Sequence, residues 1–179
     1  MTSPATPFQL PVIDDDAEFI TRRHLNAPIT QVWSVFTEAQ HLARWWGPKG
    51  FEMFHCEVDF RPGGTFHYGL RAPNGMEIWG LFKYGDIVAP TRLDYVMSFS
   101  DAHGGITRNP WEPHWPVETA TTVTLTEEDA HTLLTLAGRP INCTPRERDT
   151  FRAGHDSMTQ GFGGTWDQLE AYLVSQGRP

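Results

Sequence analysis

The chain has 179 residues, of which 39% are hydrophobic and 20% are charged, and its formal net charge is -8. This length and composition suit a single globular domain with one core. The acidic balance argues against a nucleic-acid partner, because phosphate binding needs clustered Lys and Arg. No stretch approaches the roughly 18 apolar residues of a membrane span, and the first residues lack the pattern of a signal peptide.

The first residues and the cysteines suggest how the chain is organised. Residues 1–16 contain three Pro and three consecutive Asp, which predicts a flexible lead-in to a single domain over 17–179. Cys56 and Cys143 lie far apart and match no zinc-ligand spacing. We therefore expect a reduced, cytoplasmic setting, with no cofactor and no metal.

A strand and two short helices are predicted first. Residues 18–25 indicate a strand, and Pro28 opens a helix with apolar residues every three or four positions. A second short helix begins near Thr37 and ends at Gly47-Pro48.

A run of strands joined by short turns follows, which is typical of antiparallel hairpins. In the strand over 76–88, Trp79 and Leu81 alternate with the equally apolar Ile78 and Phe82, so periodicity does not decide which face points inward. The predicted strands are 51–60, 65–71, 76–88, 93–99, 117–126 and 131–137.

Residues 100–116 interrupt this pattern with three Pro, two Gly, two His and two Trp. Long loops without their own structure are uncommon in compact domains and are often functional. The loop, with Trp111 and Trp115, is either a lid over a pocket, an insertion packed on the surface, or the contact of a homodimer.

Thr144 to Ser175 is predicted to form one long helix. Thr144-Pro145 and Glu147 supply a capping box and a proline at the first helical position. Gly161, Gly163 and Gly164 predict a weak point or kink. One apolar stripe contains Phe151, His155, Met158, Phe162, Trp166, Leu169 and Leu173.

These elements predict an α+β fold of the helix-grip type. A seven-stranded, curved antiparallel sheet would wrap around the long C-terminal helix, with two short helices after the first strand. The first strand needs an edge partner, most simply the last strand.

A series of motifs follows along the chain in a characteristic order and spacing. The motifs are Pro28, Trp45-Trp46-Gly47-Pro48, Asp59-Phe60-Arg61-Pro62-Gly63-Gly64, Pro90-Thr91-Arg92-Leu93, Gly161-Phe162, Trp166 and Leu169. Together they resemble the branch of the START-like (Bet v I-like, SRPBCC) superfamily named for the activator of heat shock protein 90 ATPase. The resemblance covers roughly residues 17–175 and implies a helix-grip fold with a cavity between sheet and C-terminal helix, but no single activity.

Aromatic and sulfur-containing side chains on the predicted strands and helices form either an ordinary core or the lining of a cavity. The ligand-binding candidates are Trp45, Trp46, Phe66, Tyr68, Trp79, Phe82, Tyr84, Tyr95, Met97, Phe99, His155, Met158, Phe162 and Trp166, with Trp111 and Trp115 as lid candidates.

Three histidines are candidates for a role in ligand binding, catalysis or metal binding, namely His155, His55 and His67. His155 stands on the apolar stripe, either as a hydrogen-bonded histidine or as a pocket group that binds a ligand or acts as an acid or base. His55 and His67 could meet across a hairpin, but no pair of residues shows a metal-ligand spacing, so a metal site is not expected.

The leading hypothesis is binding of a small hydrophobic or aromatic molecule between the sheet and the long helix. The first alternative is a cyclase, dehydratase or hydrolase that uses the same cavity, with His155 as its candidate acid or base. The second, suggested by the family name alone, is a co-chaperone that activates a heat shock protein 90 ATPase.

Overall fold

The computed structural model of the chain describes residues 17–177, so the lead-in predicted over 1–16 lies outside the described residues. No helix within the described range is long and apolar enough to cross a membrane. The elements are β1 (Phe19–Leu25), α1 (Ile29–Thr37), α2 (Ala39–Trp45), β2 (Glu52–Val58), β3 (Thr65–Arg71), β4 (Glu77–Val88), β5 (Arg92–Ser100), β6 (Ile106–Thr107), β7 (Glu118–Glu128), β8 (His131–Ile141), α3 (Pro145–Ala153) and α4 (His155–Gln176).

The strands form one antiparallel sheet in the order β1-β8-β7-β5-β4-β3-β2, which confirms the predicted helix-grip, α+β fold. The first strand pairs with the last along its whole length, from Phe19 opposite Gly138 to Leu25 opposite Thr132. The two-residue β6 is an addition to the predicted seven strands. It lies inside the long loop and pairs with the end of β5.

Strand register decides which face of β4 points toward the helices. Phe82 lies opposite Phe66 of β3, and both rings pack near Trp46 at the end of α2. Side chains alternate between faces along a strand, so Trp79, three residues before Phe82, belongs to the outer face. Its ring stacks there against His67.

The helices close the inner face of the sheet with large buried side chains. Phe36 of α1 and Trp166 of α4 both contact the ring of Trp45, at centroid distances of 4.8 and 6.4 Å. The Trp45 indole N–H donates to the Val35 carbonyl at 2.9 Å, so the polar atom of this buried ring is satisfied. This end of the helix layer is solid core.

The C-terminal helical region begins as predicted but is divided. The Thr144 hydroxyl accepts from the Glu147 N–H and the Glu147 carboxylate accepts from the Thr144 N–H, which confirms the capping box. The single helix predicted over 144–175 is instead interrupted at Gly154, between α3 and α4. The Trp115 ring occupies the space beside Gly154 where a side chain would begin. By contrast, α4 runs without a break through the three glycines where a kink was predicted.

Replacing Gly154 by Ala is expected to destabilise the protein by about 1–3 kcal/mol, because the new Cβ would lie 2.7 Å from Cζ3 of Trp115. Gly163→Ala is the matched control, since its Cβ meets nothing within 4 Å. That control should stabilise the protein by up to about 1 kcal/mol through helix propensity. Urea unfolding measures both, and equal effects of the two substitutions would contradict this account of the helix break.

Candidate functional site

A cavity of about 230 Å³ lies between the inner face of the sheet and α4. Its walls come from the end of α2, from strands β3 to β5, from the long loop and from one turn of α4. Aromatic and aliphatic side chains predominate. The lining residues are Trp46, Gly47, Pro48, Tyr68, Leu70, Ile78, Trp79, Gly80, Met97, Ser98, Phe99, Trp111, Gly161, Phe162 and Thr165.

Trp46 separates this cavity from the closed core. Its ring meets the rings of Tyr68 and Phe82 nearly edge-on, at centroid distances of 6.2 and 5.2 Å. Behind it, the space left between the packed side chains is only about 10 Å³, too small for any organic ligand. Four predicted ligand-binding residues lie on this filled side, namely Phe66, Phe82, Tyr84 and Tyr95.

The wall formed by Trp46 is fastened to α4 through the next residue. The Gly47 carbonyl accepts from the Thr165 hydroxyl at 3.1 Å and from the Gln168 amide at 2.5 Å. Gly47 has a φ of 120°, and a Cβ there would lie 3.1 Å from the Leu70 side chain. Only glycine suits this position without strain. The chain can therefore turn sharply at the cavity wall and remain bonded to the helix.

Gly80 provides the space for Tyr68, which lies directly opposite it on β3. A side chain at position 80 would collide with the Tyr68 hydroxyl. Burial raises the pKa of Tyr68 to about 12, against the opposing effect of a hydrogen bond from Trp46. Tyr68 therefore keeps its proton throughout the physiological pH range.

The loop over 100–116 borders the mouth of the cavity through Trp111, which is 51% exposed and contacts the Phe99 ring at 6.3 Å. The Asn109 carboxamide accepts from the backbone N–H groups of Trp111 and Glu112, which holds the local turn. Trp115 does not reach the cavity. It packs on Phe151 at 5.2 Å, beside the α3–α4 junction.

An ion pair fastens the same loop to the start of α3. Arg108 donates to the Glu147 carboxylate at 2.8 Å. The hydrogen bond from the Thr144 N–H, followed by that from Arg108, lowers the pKa of Glu147 below its ordinary value of 4.5. One carboxylate therefore serves both the helix cap and the loop.

Glu147→Gln should keep the capping box, because Gln also accepts from the backbone, but should lose the charge that holds Arg108. A lowered native pKa stabilises the fold above the unfolded-state value, and this contribution disappears as the pH falls through the native pKa. We expect the variant to be less stable by about 0.5–1 kcal/mol at pH 7, with the difference vanishing well below pH 4.5. Unfolding at a series of pH values measures this, with Glu127→Gln on the exposed end of β7 as the control. A deficit independent of pH would contradict the assignment.

The remaining candidates divide between the cavity and other places. Met97, Phe99 and Phe162 line the cavity, whereas Trp45 and Trp166 belong to the buried core. Met158 borders a surface groove beside Trp111 and Trp115. Trp111 therefore lies between the cavity and this groove.

His155 lies outside the cavity, at the first position of α4. Its Nε2 is 3.1 Å from the Ala17 carbonyl, and a carbonyl oxygen only accepts, so this nitrogen carries the proton. The ring packs between Phe19 and Phe151, at 5.5 Å from each. This matches the alternative of a hydrogen-bonded histidine at the edge of the stripe.

His55 and His67 do meet across the β2–β3 hairpin, with His55 Nε2 3.1 Å from His67 Nδ1. Both rings contact Trp79 on the outer face of the sheet, at 5.2 Å. The Trp79 ring therefore lies on the outer face. The residue still borders the cavity, because its strand neighbours Ile78 and Gly80 face inward and line it.

Several cavity residues were not among the predicted ligand-binding residues. Leu70 and Ile78 pair across β3 and β4, and Gly80 and Gly161 leave space that side chains would fill. The one usable signal was Gly80, an isolated glycine in a long strand, which often marks a close approach of another group.

Comparison with known proteins relates the whole domain to one family. Residues 26–174 match the family described as activator of Hsp90 ATPase homolog 1-like protein. No curated protein matches the chain.

Solved structures show the same fold. A crystallised protein from Nitrosomonas europaea is 26% identical, with a TM-score of 0.72 over 92% of this chain and 98% of that one. A protein from Arthrobacter aurescens, solved by NMR, is 25% identical with a TM-score of 0.71, over 92% and 91% of the two chains. One from Mycobacterium smegmatis is 21% identical with a TM-score of 0.73, over 93% and 99%.

Proposed function

The chain belongs to the family of activator of Hsp90 ATPase homolog 1-like proteins, and within that family we propose that it binds a small aromatic molecule in the cavity beside Trp46. The observation that carries the proposal is the cavity itself, about 230 Å³ with predominantly apolar walls. Concave, mostly apolar sites with a few polar groups are the usual form of ligand pockets. Removal of apolar ligand surface from water supplies the binding free energy.

The cavity volume limits the size of the ligand. An engineered protein cavity of about 150 Å³ accommodates benzene. By that scale, 230 Å³ suits a ligand of roughly ten non-hydrogen atoms, such as a bicyclic aromatic compound. Sterols and long fatty acids exceed this volume, so much of such a molecule would remain outside the cavity. Rings of Trp46, Tyr68 and Phe162 on three sides favour a flat, aromatic shape.

Tyr68 is the polar group that would orient the ligand. Tyr68 lines the cavity and keeps its proton, so its phenolic O–H can donate to an acceptor in the cavity. The Thr165 hydroxyl has a single proton, which it shares between the carbonyls of Gly47 and Gly161. A ligand with one carbonyl or ether oxygen near Tyr68 therefore fits better than one with only donor groups.

Trp111 would act as the lid. Its side chain is half exposed, and it stands between the cavity and the surface groove that contains Met158. Rotation of this one ring would join the two spaces, while Arg108 and Trp115 keep the rest of the loop in place.

Thermal unfolding in the presence of small bicyclic aromatics, long fatty acids and sterols tests the proposal. A bicyclic ligand at about 100 times its Kd should raise Tm by about 5–10 °C, whereas the larger compounds should have little effect.

Gly161→Leu should abolish this rise in Tm, because the new side chain begins at the cavity wall in open space. Gly163→Leu is the matched control, since position 163 has the same free space and the same helix but does not line the cavity. Equal loss of binding in both variants, or binding by neither the variants nor the native protein, would refute the proposal.

Tyr68→Phe separates the polar contribution from the apolar one. Affinity for a bicyclic ketone should fall by roughly 10-fold, the effect of about one net hydrogen bond. Affinity for the corresponding hydrocarbon should stay within about twofold. Isothermal titration of the two ligands measures both, and equal losses would show that the Tyr68 hydroxyl makes no hydrogen bond to the ketone oxygen.

A further inference from the structure

A cluster of two histidines and one glutamate lies on the outer face of the sheet, away from the cavity. His55 and Glu57 are two residues apart on β2, so their side chains leave the same face. His67 of β3 is directly opposite Glu57. One nitrogen from each histidine and one carboxylate oxygen of Glu57 all lie within 4.8 Å of one another.

The tautomer of His67 follows from its partners. Its Nε2 is 3.0 Å from the Asp101 carbonyl, which only accepts, so Nε2 carries the proton. In the neutral ring Nδ1 then has the lone pair, and it lies 3.1 Å from His55 Nε2. Histidines that bind metals commonly donate their other ring N–H to a backbone carbonyl in this way.

The distances also suit a metal ion. Two nitrogens bound to one tetrahedral zinc ion at about 2.0–2.1 Å are about 3.3 Å apart, close to the observed 3.1 Å. The Glu57 carboxylate is 3.9 Å from His55 Nε2, and its side chain is 75% exposed, so a rotation brings it to the same point.

The surroundings hold the two rings in place. Trp79 stacks on His67 at an interplanar angle of 23° and contacts His55 from the side. The bulge between Met53 and His55 also places Phe54 against Trp79 at 5.1 Å. His67 is only 8% exposed, so its orientation is set by packing. Arg71 on this face is paired with Glu77 at 3.0 Å.

We propose that His55, Glu57 and His67 bind a divalent transition metal ion of the zinc class, with water or another ligand at the fourth position. Two imidazoles and one carboxylate are a donor set typical of zinc sites with an open position. In the metal-free protein the His55 Nε2–H donates to His67. Binding moves that proton through solvent to Nδ1 of His55, and both facing nitrogens then coordinate the ion.

Titration of the untagged, metal-free protein with Co²⁺ tests the proposal. One Co²⁺ per chain should produce a visible d–d absorption band, and one equivalent of Zn²⁺ should remove it. Glu57→Gln and His55→Gln each remove a proposed metal ligand, so each should weaken binding by at least the roughly 10–100-fold that loss of a ligand's hydrogen-bonding partner costs. The exposed Glu57 side chain makes the first variant safe for folding. His131→Gln, at an exposed position of β8, is the control and should bind as the native protein does.

Three results would overturn the proposal: no band at millimolar Co²⁺, a band unaffected by Glu57→Gln and His55→Gln, or a band lost equally with His131→Gln. The cavity proposal is tested separately, because Gly161→Leu changes α4, which lies on the other side of the sheet, and should leave Co²⁺ binding unchanged.

Discussion

The position of Trp46 determines how the interior of this domain is divided. The ring stands edge-on between α2 and the sheet, against Tyr68 and Phe82. On one side of it, aromatic rings fill the space almost completely, and on the other a cavity of about 230 Å³ remains. Since protein interiors are normally close-packed, a space of this size beside a well-packed core needs a wall that cannot move inward.

That wall is held from both neighbouring elements. Thr165 and Gln168 of α4 bind the Gly47 carbonyl, and the positive φ of Gly47 lets the chain leave α2 at this point. On the sheet, the absence of a side chain at Gly80 accommodates Tyr68. The cavity thus depends on two glycines and two helix side chains, more than on the bulky residues that surround it.

The sheet separates two chemistries. Its inner face presents Tyr68 and Met97 to the cavity, while its outer face holds His55, His67 and Trp79 in contact with one another. Alternation along β3 alone places His67 and Tyr68, adjacent residues, on opposite sides. The long loop touches both regions, since Asp101 accepts from His67 and Trp111 borders the cavity.

The sequence by itself determined the order of elements, the antiparallel sheet, the capping box at Thr144 and the family, because these depend on local periodicity, on turn and cap residues and on motif order.

The sequence did not determine which aromatic residues line a cavity. Phe82 and Tyr68 are indistinguishable by pattern, yet only Tyr68 faces the space beyond Trp46. It also did not foresee the break at Gly154, and although it allowed His55 and His67 to meet across a hairpin, it did not fix their distance. The first depends on where Trp115 folds back and the second on strand register and a bulge. Contacts between residues distant in sequence decide such features, because packing against Trp115 or across a hairpin is not encoded in any short stretch of the chain.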